Sequence, residues 1–311
     1  MSEGTKTDQT SHPSDIKTEG WIFRLTPKQI QPYLTLARVD RPIGTWLLLL
    51  PCWWGLAAAG GENTAQTIYF ALLFAIGAFV MRGAGCVWND ILDRDYDAKV
   101  ARTALRPIAN GDVSVFSGAL FLAALTGIGL LVLLQFNNFT ILVAIISLVL
   151  VALYPLMKRI TYWPQAWLGL TFNWGILVGY SAINGALDAT AYYLYAAGFF
   201  WTLGYDTIYA HQDKEDDALV GVRSTALLLG QRSPYWVAVF YGATVIMFTG
   251  AGLRADMNIL YYVGIGIATI QFGWQVLRID IEDPRDCLAK FKSNKWLGLL
   301  ITFSLVAGQT W

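Results

Sequence analysis

Long apolar runs constrain this chain more than any other feature. Nine are read, at roughly 43–60, 67–88, 114–135, 139–156, 163–183, 189–209, 234–253, 257–277 and 296–311, the last one short. A helix needs about 20 mostly apolar residues to cross the hydrocarbon core of a bilayer. Hydrophobic residues make up 55% of the 311 and charged residues only 14%, against about 25% charged in an average soluble domain. The sequence therefore predicts an all-α, polytopic membrane protein with nine transmembrane helices. Residues 1–26 are expected to be a disordered polar tail, and 27–311 one membrane domain. The tail has no apolar core after a basic start and no Arg in its first 20 residues. It matches neither a secretory signal nor a mitochondrial leader, so a bacterial inner (plasma) membrane is expected. Cys52, Cys86 and Cys287 are odd in number and scattered, and they suggest neither a disulfide framework nor a metal spacing.

Net charge is zero, but the cations are not evenly spread. Of 22 Lys and Arg residues, 21 fall before the first run or in the connections after the second, fourth, sixth and eighth with their approaches, Arg82 near the end of the second run among them; Arg254 is the exception. Basic residues stay on the cytoplasmic side of a membrane, so the N-terminus and these connections are expected to be cytoplasmic. "TPKQIQPYLTLARV" before the first run reads as an interfacial helix.

Two acidic stretches then need a reason. "NDILDRDYD" follows the second run and "YDTIYAHQDKEDD" the sixth. Asn89, Asp93 and Asp97 are spaced i, i+4, i+8 and share one helical face, with Asp90 to the side. Asp206, Asp213 and Asp217 are spaced i, i+7, i+11, again one face if the helix is continuous, with Tyr209 beside Asp206. Carboxylates stacked near a membrane repel and are costly to bury. Two such faces brought together suit a hard divalent cation, and Mg²⁺ commonly bridges a few carboxylates to substrate phosphates. Arg94, Lys99, Arg102 and Arg106 lie near the first stretch, and Lys214 and Arg223 near the second. Cations beside a metal site suit a diphosphate leaving group.

The runs "DRPIGTWLLLLPCWWG", "RGAGCVWNDILDRDYDAKVARTALRPIANG", "YPLMKRITYWPQAWLGLTFNWG" and "YDTIYAHQDKEDDALVGVRSTAL" resemble the UbiA superfamily of intramembrane prenyltransferases, over nearly the whole chain from residue 33. The "YPLMKR", "LGLTFNWG" and "DTIYAHQDK" forms resemble its 4-hydroxybenzoate branch. The resemblance implies nine helices around a central cavity with a cytoplasmic cap, Mg²⁺ as cofactor, and polyprenyl diphosphate and 4-hydroxybenzoate as substrates. It implies metal-site roles for Asn89, Asp90, Asp93, Asp97, Asp206, Asp213 and Asp217, with Asp93, Asp97, Asp213 and Asp217 central to catalysis. It also implies that Arg94 and Arg159 serve the substrates.

Further substrate-binding candidates are Arg41 and Asn173, with Lys99, Arg102, Arg106, Tyr209 and Lys214 from the acidic stretches. Arg41 and Arg159 are the candidates for the benzoate carboxylate. Asn173 lies in an apolar run, where a polar group is either functional or a helix–helix bond. Trp167, Phe172, Trp174 and Tyr180 could shield an allyl cation or simply pack. His211 is expected to be a solvated loop residue. Membrane lipid is the expected surrounding, and no nucleic-acid partner is expected. A secondary transporter would share the many spans, but its acids would sit near the bilayer midplane rather than at helix ends.

Overall fold

In a computed structural model, which describes residues 24–61, 63–99 and 103–309, the chain forms α-helices joined by short connections. In order they are α1 (Gln31–Leu36), α2 (Ile43–Ala59), α3 (Thr64–Asp97), α4 (Val115–Leu133), α5 (Asn138–Ile160), α6 (Pro164–Asn184), α7 (Ala189–Ala210), α8 (Lys214–Val220), α9 (Thr225–Leu229), α10 (Ser233–Arg254), α11 (Ile259–Arg278) and α12 (Pro284–Gly308). The expected tail as far as residue 23, and Arg102, lie outside the described residues. α3, α4, α5, α6, the stretch Thr225–Arg254 and α11 have the length and apolarity to cross a membrane. α2 is apolar but shorter at 17 residues, and α7 and α12 run beside these as long helices.

Local chemistry sets the starts. Side chains of Asn63, Ser114, Asn137, Asp188, Asn258 and Asp283 accept hydrogen bonds from backbone N–H groups one turn or less ahead, satisfying donors that a helix start leaves unpaired.

α3 runs past the end of the second apolar run and carries the first acidic stretch on one helix, as its spacing implied, because residues 86–97 contain neither Gly nor Pro. Two other features differ from the sequence reading. α12 starts at Pro284 behind the Asp283 cap, so Arg285, Lys290, Lys292 and Lys295 lie on a helix rather than in a connection. The second acidic stretch is not one helix. Residues 211–213 form a turn between α7 and α8, which resets the helical phase, so Asp206 does not share a face with Asp213 and Asp217.

α2 packs on α6, α7 on α10, α3 on α4, and α11 on α12, while α12 and α7 close against α2. The α2–α6 seam is tight: a Cβ at Gly55 would lie 2.0 Å from Ile176 O, and one at Gly179 2.2 Å from Cys52 O. Small residues let backbones meet in this way where lipid removes the hydrophobic drive between helices. A core of Leu50, Trp54, Ile176, Leu194, Trp201 and Phe248 fills this half. α4 and α5 are different. α4 buries only Gly118 and Leu125, and α5 only Thr140, Val143 and Pro155, which leaves an apolar outer wall with a hollow behind it.

Candidate functional site

The hollow is a cavity of about 760 Å³ bounded by α2 to α7. Its depth is apolar, with Leu47, Phe74, Val132, Leu148, Leu168 and Val178 among the walls. Its mouth is polar and charged, and residues from both acidic stretches meet there.

Asn89, Asp90 and Asp97 line the mouth from α3, Asp206 from α7, and Asp213 and Asp217 from α8 and the turn before it. Asp93 is set apart. It is fully buried, and its carboxylate accepts from Lys158 Nζ at 2.5 Å and from Arg159 Nη2 at 2.7 Å. These ion pairs fasten α3 to the end of α5, and Asp93 does not face the cavity. Arg106 bridges the wall itself, 3.3 Å from Asp90 and 2.9 Å from Asp97. The segment after α8 completes the cap, with Arg223 N bonded to Lys158 O at 2.8 Å and its Nη1 to Ile160 O at 2.6 Å.

The expected substrate residues separate. Arg41, Arg106 and Tyr209 line the cavity, with Arg41 3.3 Å from Asp40 and Tyr209 against the Phe291 ring. Arg94 is half exposed and turned to Asp95. Arg159 lies outside, held by Asp93, Leu92 O and the Tyr96 ring. Lys99 is exposed beyond α3, and Lys214 is paired with Glu282 on the α11–α12 connection. Asn173 is also outside. Its Nδ2 donates to Gly169 O at 2.9 Å and to Thr202 Oγ1 at 2.7 Å, so it joins α6 to α7. Gly198 makes this possible, since a Cβ there would lie 2.3 Å from Asn173 Oδ1. Of the aromatic candidates, Phe172 and Trp174 line the cavity; Trp167 is held by Leu150 O and Tyr180 by Asp188. His211 is buried rather than solvated and bonds Ser233 Oγ at 2.7 Å. Burial, then the nearby Lys214 charge, pushes its pKa down to about 4.

Cavity residues that escaped the sequence reading include Arg38, Arg82, Tyr154 and Lys158. Arg82 projects from the middle of α3, its guanidinium 5.6 Å from the Phe172 ring centroid and its Nε buried without a hydrogen-bond partner. The signal was available, because an ionisable residue inside an apolar run is by default functional. Gly44 makes room for it; a Cβ there would lie 2.4 Å from Arg82 Nε.

Among the described residues, no group of three acidic, His or Cys side chains is close enough to hold a metal by itself. The oxygen donors at the mouth still suit a hard cation that retains water and is completed by substrate phosphates. Residues 48–300 match the family described as the UbiA prenyltransferase family. The mitochondrial 4-hydroxybenzoate polyprenyltransferase of Caenorhabditis elegans is 47% identical, covering 99% of this chain and 88% of that protein. A solved UbiA homolog from Aeropyrum pernix K1 superposes with TM-score 0.69 at 23% identity, covering 85% and 96%. One from Archaeoglobus fulgidus, bound to GPP and Mg²⁺, gives 0.64 at 20%, covering 89% and 99%.

Proposed function

The chain belongs to the UbiA prenyltransferase family, and from that premise we propose that it transfers a polyprenyl group from polyprenyl diphosphate to the ring of 4-hydroxybenzoate, ortho to the hydroxyl, in ubiquinone biosynthesis. The observation that carries this reading is one cavity with an apolar depth and a mouth of carboxylates and arginines. The depth suits an isoprenoid tail and the mouth a diphosphate. The exposed α4 and α5 walls give the tail a lipid-side approach.

We assign Mg²⁺ as the cofactor, and Asn89, Asp90, Asp97, Asp206, Asp213 and Asp217 as the residues available at the mouth to hold it. Bound there with the donor, it would neutralise leaving-group charge. Arg106 and Lys158 supply further positive charge to the diphosphate, and the apolar wall excludes water as the allylic C–O bond ionises. The ring carbon ortho to the phenol attacks, forming the C–C bond, and the ring proton leaves to a base. Arg82 is the group placed to receive the acceptor's carboxylate, on the cavity side of the acids and over Phe172.

The chain is a multi-pass membrane protein. We place its basic-loop end and N-terminus in the cytoplasm, on the distribution of Lys and Arg. The Caenorhabditis elegans relative is named mitochondrial, and the bacterial plasma membrane expected from the sequence finds no support among such relatives.

The test is membranes containing the protein with Mg²⁺, geranyl diphosphate and labelled 4-hydroxybenzoate, with the product identified by mass. A prenylated acid that disappears with excess EDTA is expected. Turnover unaffected by EDTA would remove the metal from the proposal, and no prenylated acid under any condition would remove the reaction.

A further inference from the structure

Asp90 stands apart from the other mouth carboxylates. It is 1% exposed, and its Oδ1 accepts from both Arg38 Nη2 at 2.8 Å and Arg106 Nη1 at 3.3 Å. Its Oδ2 is buried with no hydrogen-bond partner. One oxygen thus carries two guanidiniums, and the other is closed off from water. A carboxylate meant for a hydrated cation would present an oxygen to the solvent that carries it.

Arg38 has a left-handed backbone, φ +59°, which non-glycine residues adopt rarely. Such a conformation persists only where its surroundings over-determine it, commonly at functional sites. Here the surroundings are explicit. Arg38 Nη1 also donates to Thr35 O at 3.2 Å. Leu36, fully buried, packs with Val80, Ala84, Val87 and Ile108. Tyr33 meets Phe121 edge-on at 5.3 Å. The arm before α2, the C-terminal half of α3 and the α3–α4 connection therefore form one packed unit, and the two arginines that hold Asp90, Arg38 and Arg106, line the cavity.

We propose that Asp90 is a positioning residue and not a metal ligand: through Arg38 and Arg106 it fastens the N-terminal arm across the cavity mouth and aims two guanidiniums at the diphosphate of the donor. Guanidinium forks match phosphate oxygens in pairs, and their aim depends on what holds them. The inference rests on the donor reading above and narrows the set of metal-holding residues named there.

The test uses the full chain in detergent, with D90N, R38A, R38K and the double variant R38A/D90N. Three quantities are read: tryptic cleavage after Lys28 without ligand, Mn²⁺ half-saturation by electron paramagnetic resonance at saturating inorganic pyrophosphate, and KM for geranyl diphosphate. D90N and R38A should each speed cleavage at least fivefold and raise the donor KM at least tenfold, while Mn²⁺ half-saturation stays within threefold of wild type. R38K should keep the arm protected yet still raise the donor KM, which separates aim from folding. The double variant should be no worse than the worse single one, because both break the same clamp. A tenfold loss of Mn²⁺ affinity in D90N with the arm still protected would make Asp90 a ligand and overturn the proposal. R38A with unchanged cleavage and KM would overturn it as well. If wild type itself showed no pyrophosphate-dependent Mn²⁺ binding, the donor site would fall and the clamp with it; normal wild-type binding with failed variants sinks the clamp alone.

Discussion

Replacing Arg82 tests the acceptor site most directly. Arg82 lines the cavity, its Nε has no hydrogen-bond partner, and its guanidinium lies 5.6 Å from the centroid of the Phe172 ring. Truncating it therefore breaks no ion pair of the fold, and Arg82→Ala should express and melt close to wild type. A carboxylate held bidentately by a guanidinium makes two charge-assisted hydrogen bonds, each contributing about 1.5–3 kcal/mol. Allowing for residual solvation of the acid in the variant, the loss should be about 3–4 kcal/mol, or roughly 10²–10³-fold in acceptor affinity. Arg82→Lys keeps the charge without the fork and should recover only part of this. The assay is a pair of saturation curves, with 4-hydroxybenzoate varied at saturating geranyl diphosphate and the reverse. The acceptor KM should rise by that factor and the donor KM by less than threefold. Gly44→Ala should imitate the effect in part, because its new Cβ would occupy space 2.4 Å from Arg82 Nε. A variant in which the donor KM rises and the acceptor KM does not would refute the assignment and move Arg82 to the diphosphate.

Three other substitutions have distinct expected readouts. Asp93→Asn should lower stability by about 1.5–3 kcal/mol, because it weakens the charge-assisted hydrogen bonds from Lys158 and Arg159 to a buried carboxylate, and should lower turnover by loosening the helix that carries the mouth carboxylates; a variant that melts like wild type would show that these pairs do not hold α3 to α5. Asn173→Ala should lower stability by about 0.5–1.5 kcal/mol and leave both KM values unchanged, as expected of a bond from α6 to α7; a selective rise in either KM would return Asn173 to the site. His211 in the fold has a pKa near 4, below the unfolded value of about 6.5, so the folded state binds the proton less tightly. The stability it contributes is complete above about pH 6.5 and declines by up to tenfold in the folding equilibrium per pH unit as pH falls toward 4. The detergent melting temperature of wild type should thus drop more between pH 7.5 and 5 than that of His211→Gln, and parallel curves would refute the buried neutral histidine.

The sequence alone determined whatever depends on neighbours along the chain. Apolar runs of bilayer length dictate spanning helices, since lipid offers the backbone no other partner. Between residues 86 and 97 nothing breaks a helix, so the i, i+4, i+8 spacing of Asn89, Asp93 and Asp97 carried through to the fold. The start of α12 was also written locally, in Asp283 followed by Pro284. Helix rotation and depth were decided only by tertiary packing. Asp93 shares a stripe with Asn89, yet Lys158 and Arg159, more than 60 residues away, draw it out of the cavity. Asn173 turns to Thr202 because Gly198 leaves room on the facing helix. The turn at 211–213 has no Gly or Pro to announce it; it sits where His211 buries against Ser233, a residue on another helix. Arg82 was visible as a charge in an apolar run, but whether it faced lipid, a neighbouring helix or a cavity depended on how α2, α3 and α6 came together. Periodicity fixes the angle between residues on one helix, and only contacts between helices fix the angle of that helix to the rest.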